Sequence, residues 1–505
     1  MDWKNGYVIE IEYVRGVHRE LGPSALNSIL LIQSIEPIAL QNGFTYCDLG
    51  CGQGESVNLF AACHPEGEFH AVDFNSVHIS SARGLAHQAD LENVTFWEND
   101  FADLGELPLP TFDFIVIHGV YTWVGTETRR HIVEFLGNKL KPGGVVYLSY
   151  NSLLGWNAHA PLRELLISYA DTQSGTLEQR IDLAIEFVER LKNAHASIFK
   201  TGPATRDFFE YICTLPRNYL AHEFFNRDWT LFCHADVARD LAGAKLSFTG
   251  SANFAENQDI LRFSEAQQQI LDGVTDKAMR ETVKDFAVNM LLRRDLFSRD
   301  RPKLHSSLQL ELFFRCRFAL VVPQAKLKRK ALFPIGEVHF DRELYDPILH
   351  AFELKPHSLE ELLQHEEISV LGSGRVLEAL IVLLSAEYVM PAVEPAPYTV
   401  MATKRLNCAL LKREVDNLGK QFLASPVLQN AIKVDWLERL LIICEIDGNP
   451  DPLSFIWEKM ETSRHKLTKE GKVIQSMVEN LDELAVQIDT FRTSQLPLLQ
   501  QLGIL

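Results

Sequence analysis

Residues 44–56, Phe44-Thr45-Tyr46-Cys47-Asp48-Leu49-Gly50-Cys51-Gly52-Gln53-Gly54-Glu55-Ser56, constrain the fold more than any other stretch. A strand-like apolar run ends in an acidic residue, three glycines follow at alternate positions, and 57–62 reads as a helix. Glycine lets the backbone turn tightly and approach a ligand closely, and a helix start offers unpaired N–H groups. The pattern is a strand–turn–helix cradle for a nucleotide-like ligand. A dinucleotide site wants G-x-G-x-x-G with pyrophosphate on the helix N-terminus. Here the third glycine comes one residue early, and Asp48 stands two residues before the first. A carboxylate there repels a pyrophosphate and attracts a cationic amino-acid group, which favours S-adenosylmethionine over NAD.

The rest of the first 160 residues keeps an α/β rhythm. Strand-like runs fall at 46–49, 67–73, 93–97, 112–117 and 145–150, with helical patterns at 76–89 and 127–140. Lys141-Pro142-Gly143-Gly144 reads as a turn. Such units build a doubly wound, parallel, Rossmann-like sheet whose ligands sit beyond the strand C-termini. Asp73 closes the second strand, where a carboxylate takes both ribose hydroxyls, with Phe74 beside it. Asn99-Asp100-Phe101 offers an acceptor for an adenine amino group and a ring for its face. The candidate cofactor residues are therefore Asp48, Gly50, Cys51, Gly52, Asp73, Phe74, Asn99, Asp100 and Phe101.

After residue 156 the strand rhythm stops. Helical periodicity runs over 161–191, 204–241 and 265–300, with a Gly-Pro break at 202–203. Strand-like pieces return near 312–322 and 336–340, 358–393 reads as helix–turn–helix with a wing strand at 388–393, and 406–505 is mostly helical. No repeat, low-complexity tract or long linker interrupts the chain, so its domains are expected to pack against one another. A net charge of −18 argues against nucleic-acid binding, which needs clustered Lys and Arg. No stretch is long and apolar enough to span a bilayer, and residues 1–6 carry no signal-peptide core. The eight cysteines form no C-x-x-C pair, which suits reduced thiols in a cytoplasmic protein without a metal site.

Two further clusters follow strands four and five, at 118–124 and 149–157. Strand four faces the methyl group in this kind of fold, so groups here are placed to line an acceptor pocket. Methyl transfer to an amine needs a neutral lone pair held in line, and proximity supplies most of the rate. Burial among rings lowers a lysine pKa from its usual ~10.4. Tyr121, Trp123 and Tyr150, with Trp156, can form a cage that attracts a cation, and Asn151 can hold the amine through its carbonyl oxygen. Tyr121, Trp123, Tyr150 and Asn151 are the candidate catalytic residues; the alternative is that the aromatics pack the sheet against the next domain. The run 222–229 reads either as a capping element over this pocket or as a polar turn at a domain interface. It lacks the second His of a zincin site.

Taken together, Asp48-Leu49-Gly50-Cys51-Gly52-Gln53-Gly54, Asp73, Asn99-Asp100 and Leu140-Lys141-Pro142-Gly143-Gly144 resemble the motifs of class I, seven-strand S-adenosylmethionine-dependent methyltransferases, over residues 25–155. The stretches at 118–124, 149–157, 219–226 and 281–297 further resemble bacterial methyltransferases with a methyltransferase regulatory domain. Their best-understood members are rickettsial-type protein-lysine methyltransferases acting on outer-membrane surface proteins. The resemblance implies a cofactor domain at 1–160, a helical regulatory or dimerisation domain at 161–300, a middle domain with a winged-helix-like module at 301–405, and a helical domain at 406–505. It adds the His118 backbone to the cofactor contacts and allows a homodimer. Family members often carry Thr-Leu-Pro where this chain has Ser152-Leu153-Leu154, and residues 13–26 match loosely.

The expectation is an enzyme that N-methylates lysine side chains of protein by direct in-line transfer, with S-adenosylhomocysteine leaving. One alternative is a small-molecule N- or O-methyltransferase with the helical unit as a lid. Another is a degenerate methyltransferase serving as a binding or regulatory module, against which the intact loop and both acids argue. No nucleic-acid partner and no integral membrane segment are expected.

Overall fold

The computed structural model describes residues 15–201, 203–413, 421–463, 465–469 and 472–505. Its centre is a seven-stranded sheet of β1 (Thr45–Leu49), β2 (Glu68–Asp73), β3 (Val94–Glu98), β4 (Phe112–Ile117), β5 (Leu140–Asn151), β6 (Ser247–Ser251) and β7 (Leu292–Ser298). The spatial order is β3-β2-β1-β4-β5-β7-β6. The first five strands are parallel, while β7 runs antiparallel to both β5 and β6. The period-two alternation of strand side chains explains the layers. Tyr46, Phe69, Phe114, Val116 and Tyr147 bury one face against helices Pro23–Ile32, Glu55–Cys63 and Ser76–Gln88. Cys47, Leu49, Val72, Ile115, Ile117 and Leu148 bury the other against Thr126–Lys139 and His234–Ala242. A separate helical core joins Ala160–Asp171, Leu177–Asn193, Pro203–Thr214 and Arg217–Phe224.

Several expectations need correction. The helical pattern over 265–300 breaks into two helices, Glu265–Asp272 and Lys277–Val288, and then becomes β7. The run Leu292-Arg293-Arg294-Asp295 is mixed in charge, yet Arg293 and Asp295 are buried. The Arg293 guanidinium reaches Asp295 at 3.0 Å, Asp285 at 2.6 Å and Glu281 at 3.0 Å, so the charges enter the sheet already paired. The sheet thus draws its last two strands from beyond residue 160. A domain boundary at 160/161 would cut the helix Ala160–Asp171 at its first residue, and one at 405/406 would cut Pro397–Arg413. Lys141 to Gly144 is not a separate turn. It lies within β5, where Gly143 donates its N–H to the Arg299 carbonyl at 2.7 Å.

The C-terminal half packs onto the sheet face that carries the glycine-loop helix. Helix Glu55–Cys63 meets Pro397–Arg413, the Cys63 thiol lies 3.7 Å from the Ser425 carbonyl, and Arg405 donates to the Ala89 carbonyl at 3.2 Å. One apolar core runs through both halves. Strand Arg317–Leu320 lies between His357–Ser358 and Val389–Ala392 in a small antiparallel sheet. The first part of the strand-like stretch at 312–322 belongs instead to helix Ser306–Arg315. Among the described residues no helix is long and apolar enough to cross a membrane. The expectation about residues 1–6 and Gly202 of the Gly-Pro break lie outside the described residues.

Candidate active site

At the C-terminal ends of β1–β4 the chain encloses a cavity of about 440 Å³. Its wall is built strand by strand. Past β3 come Asp100 and Phe101, past β2 Asp73 and Phe74, past β1 Asp48 and the glycine loop, and past β4 His118, Gly119 and Trp123. The glycines are required by shape. Gly50 has φ +83° and a Cβ there would come within 2.4 Å of Val120. Gly54, at φ +71°, would strike Ala82 at 2.6 Å.

Asp73 organises the loop. One carboxylate oxygen accepts the Gly52 N–H and the other the Asn75 N–H, both at 2.9 Å, and His78 lies 3.5 Å away. Asn75 in turn caps helix Ser76–Gln88. Asp100 accepts the Ala102 N–H at 2.8 Å. The Asp48 carboxylate makes no hydrogen bond among the described residues, and burial, reinforced by nearby Asp73, pushes its pKa up to about 7. Burial with the Asp73 and Asp48 charges also keeps the Cys51 thiol protonated.

The sequence candidates divide into two groups. Asp48, Gly50, Cys51, Gly52, Asp73, Phe74, Asp100, Phe101, His118 and Trp123 line the cavity. Asn99, Tyr121, Tyr150 and Asn151 do not. Asn99 ties strand ends together, its N–H on the Asp73 carbonyl at 3.1 Å. Tyr121 is buried against Phe232 and reaches Asp240 at 3.3 Å. Tyr150 donates to Asp295 at 2.6 Å inside the Arg293 network. The Asn151 backbone is fixed by Thr122 Oγ1 at 2.8 Å and by the Phe232 N–H. The cage of Tyr121, Tyr150 and Trp156 is therefore corrected: these rings pack the core and the sheet–helix interface, and Trp156 stacks edge-on with Trp229 and Phe208.

Two wall segments carry no motif of the usual kind. Arg15, His18 and Leu21 cover one side of the cavity, held by the His18 N–H on Ser56 Oγ at 3.0 Å. Arg227 and Asp228 come from the run 222–229, whose density of polar and aromatic residues was its signal. His18 and His118 lie with ring centroids 3.8 Å apart, and His118 also meets the Tyr147 hydroxyl at 2.9 Å. Burial holds both imidazoles below their usual pKa, with Arg294 adding to the effect. Glu20 brings its carboxylate close enough to form a His18–Glu20–His118 donor group with atoms within 4.8 Å, but Arg294 already faces it at 3.7 Å.

Residues 40–185 match the family described as a methyltransferase domain, and 216–299 the predicted methyltransferase regulatory domain. A Synechocystis protein of uncharacterised function, sll1526, is 37% identical over 506 residues, covering 100% of both chains. The Rickettsia prowazekii protein RP789, likewise uncharacterised, is 23% identical over 63% of this chain and 57% of its own. In fold, the chain is similar to PKMT2 from Rickettsia typhi, solved in complex with AdoHcy, at TM-score 0.71 and 21% identity, covering 95% of this chain and 98% of that one. The chain belongs to the S-adenosylmethionine-dependent methyltransferases that carry a regulatory domain.

The cavity of this methyltransferase fits its cofactor by the chemistry of its donors. The unsatisfied Asp48 carboxylate suits the ammonium of an amino-acid group, Asp73 the ribose hydroxyls, and Phe101 an adenine face. Replacing Asp73 with alanine removes a charge-assisted contact of ~1.5–3 kcal/mol and two loop hydrogen bonds. Calorimetric titration is expected to show both S-adenosylmethionine and S-adenosylhomocysteine bound at least about tenfold more weakly. An unchanged isotherm would remove Asp73 from the site.

Proposed function

We propose that this methyltransferase N-methylates lysine side chains of protein in the cytoplasm. The observation that carries the reading is the cavity itself, an acidic recess whose rim residues Gly16, Gly119 and Arg227 are exposed. Its wall holds Asp48, Glu55, Asp73, Asp100 and Asp228 against the two arginines Arg15 and Arg227. A long cationic side chain can enter such an opening while its protein stays outside. The fold shared along its length with rickettsial PKMT2 supports the same reading. When bound, the cofactor supplies an electrophilic methyl group on a sulfonium. The protein's part is to hold it by Asp48 and Asp73, to keep the neutral His18 and His118 beside it, and to admit the amine past β4.

The test is incubation of the purified protein with tritiated S-adenosylmethionine and a lysate of its own host, followed by gel autoradiography. A labelled protein band that resists alkali is the expected result. Label confined to small molecules would replace lysine with a metabolite acceptor.

A further inference from the structure

The order β3-β2-β1-β4-β5 fixes a direction along the cavity. If Asp73 and Phe101 mark the nucleoside end and Asp48 the amino-acid end, the acceptor comes in from the side past β4. That side is made by Trp123, Gly125 and Thr128 and by one carboxylate from another unit, Asp228. Asp228 is half-buried, and among the described residues it makes no hydrogen bond and no ion pair. Arg227 beside it is exposed, and two other cations of this region are engaged elsewhere. Arg163 lies over Trp229 at 4.3 Å and over Trp123 at 5.9 Å, and it donates to the Asn226 carbonyl at 2.8 Å. Arg129 is held by the Val124 carbonyl, Thr230 and Thr126.

The segment bearing Asp228 is also firmly placed. The Thr230 N–H binds the Thr122 carbonyl at 2.9 Å and the Phe232 N–H the Asn151 carbonyl at 3.1 Å. An Asp228 oxygen lies 3.6 Å from where a Cβ on Gly125 would sit, and both residues line the cavity. A fixed carboxylate with no ion pair among the described residues, on a cavity wall shared with the Trp123 indole and next to a methyl-donor site, is a receptor for a cation.

We infer that Asp228, on the cavity wall it shares with Trp123, is the subsite that captures the positively charged amine of the methyl acceptor. This rests on the proposed amine acceptor and names the residue from the regulatory region that selects it. The role is electrostatic capture, and no bond is made or broken at Asp228.

The probe is n-butylamine, which is the side chain of lysine, with n-butanol as its neutral counterpart. Both are titrated by saturation-transfer NMR into the full-length protein loaded with S-adenosylhomocysteine. The butylammonium ion is expected to bind saturably, to weaken at least tenfold in Asp228→Asn, and to recover in part in Asp228→Glu. S-adenosylhomocysteine affinity should stay as in the wild type in both variants, which shows that the fold is intact. Equal binding of the amine to Asp228→Asn, equal binding of butanol, or no saturable amine binding to the wild type would each overturn the assignment. If the tritium experiment labels protein while Asp228→Asn binds the amine normally, this subsite falls and the lysine reading stands. If amine binding depends on Asp228 while label appears only in metabolites, the subsite stands with a smaller acceptor.

Discussion

Asp48→Asn is expected to weaken cofactor binding by the order of 100-fold while making the ligand-free protein more stable. Burial holds the Asp48 carboxyl at a pKa of about 7, against 3.8 for the free side chain. That rise opposes folding by the order of 4 kcal/mol once the group is ionised. The sign follows from proton binding. Between pH 4 and 7 the folded state holds a proton that the unfolded state has lost, so stability from this group falls as pH rises and is lowest above 7. Asparagine removes that cost, so the unfolding midpoint of the variant should exceed the wild type's at pH 8 and match it at pH 4. In the same variant an ammonium loses its ionised partner, and affinity for S-adenosylmethionine should drop by the order of 100-fold. In the wild type, binding should weaken as pH falls below about 7. Scanning calorimetry and titration at the two pH values check both halves, and an equal midpoint at pH 8 would refute the account of Asp48.

Arg293→Ala is expected to destabilise the sheet by about 3–5 kcal/mol, the usual effect of removing one partner from a buried ion cluster. Asp295 is completely enclosed; burial disfavours its charge, but Arg293, His234 and Tyr150 together keep it below the ordinary carboxylate range. Asp285 is pushed by burial up to about 6 despite the pull of Arg293. Without the guanidinium Asp285 loses its partner, and Asp295 is left with His234 and Tyr150 alone. Losing the guanidinium raises the Asp285 pKa above its value of about 6, so the destabilisation should be greatest at high pH and ease as pH falls and Asp285 takes up a proton. Denaturant titrations at pH 7.5 and 5.5 read this directly, and a variant as stable as the wild type at both would show that the cluster does not hold β7 in place.

The legible part of this chain was local. The glycine loop and Asp73 declare themselves because their spacing is set within single strand–turn–helix units, where sequence distance and spatial distance agree. The misread part depended on distant partners. Tyr150 carries the same aromatic signal whether it lines a cavity or a core, and only pairing of β5 with β7, which sets Tyr150 opposite Arg293, turns it inward. Asp228 reaches the cavity through a main-chain link to Thr122, more than a hundred residues away. No periodicity records such a link. The charged strand β7 was hidden for a related reason: a buried arginine and a surface arginine look alike until their carboxylates are located.

The antiparallel position of β7 between β5 and β6 also bears on the order of synthesis. When a ribosome has released residue 151, five strands are complete and β5 is a bare edge, with a row of unpaired backbone groups. That edge waits for some 140 further residues, among them a helical unit with its own apolar core. A chain shortened to its cofactor-binding part would keep that open ladder, a template on which another chain can pair. The regulatory region is thus the nascent sheet's built-in escort as well as its neighbour.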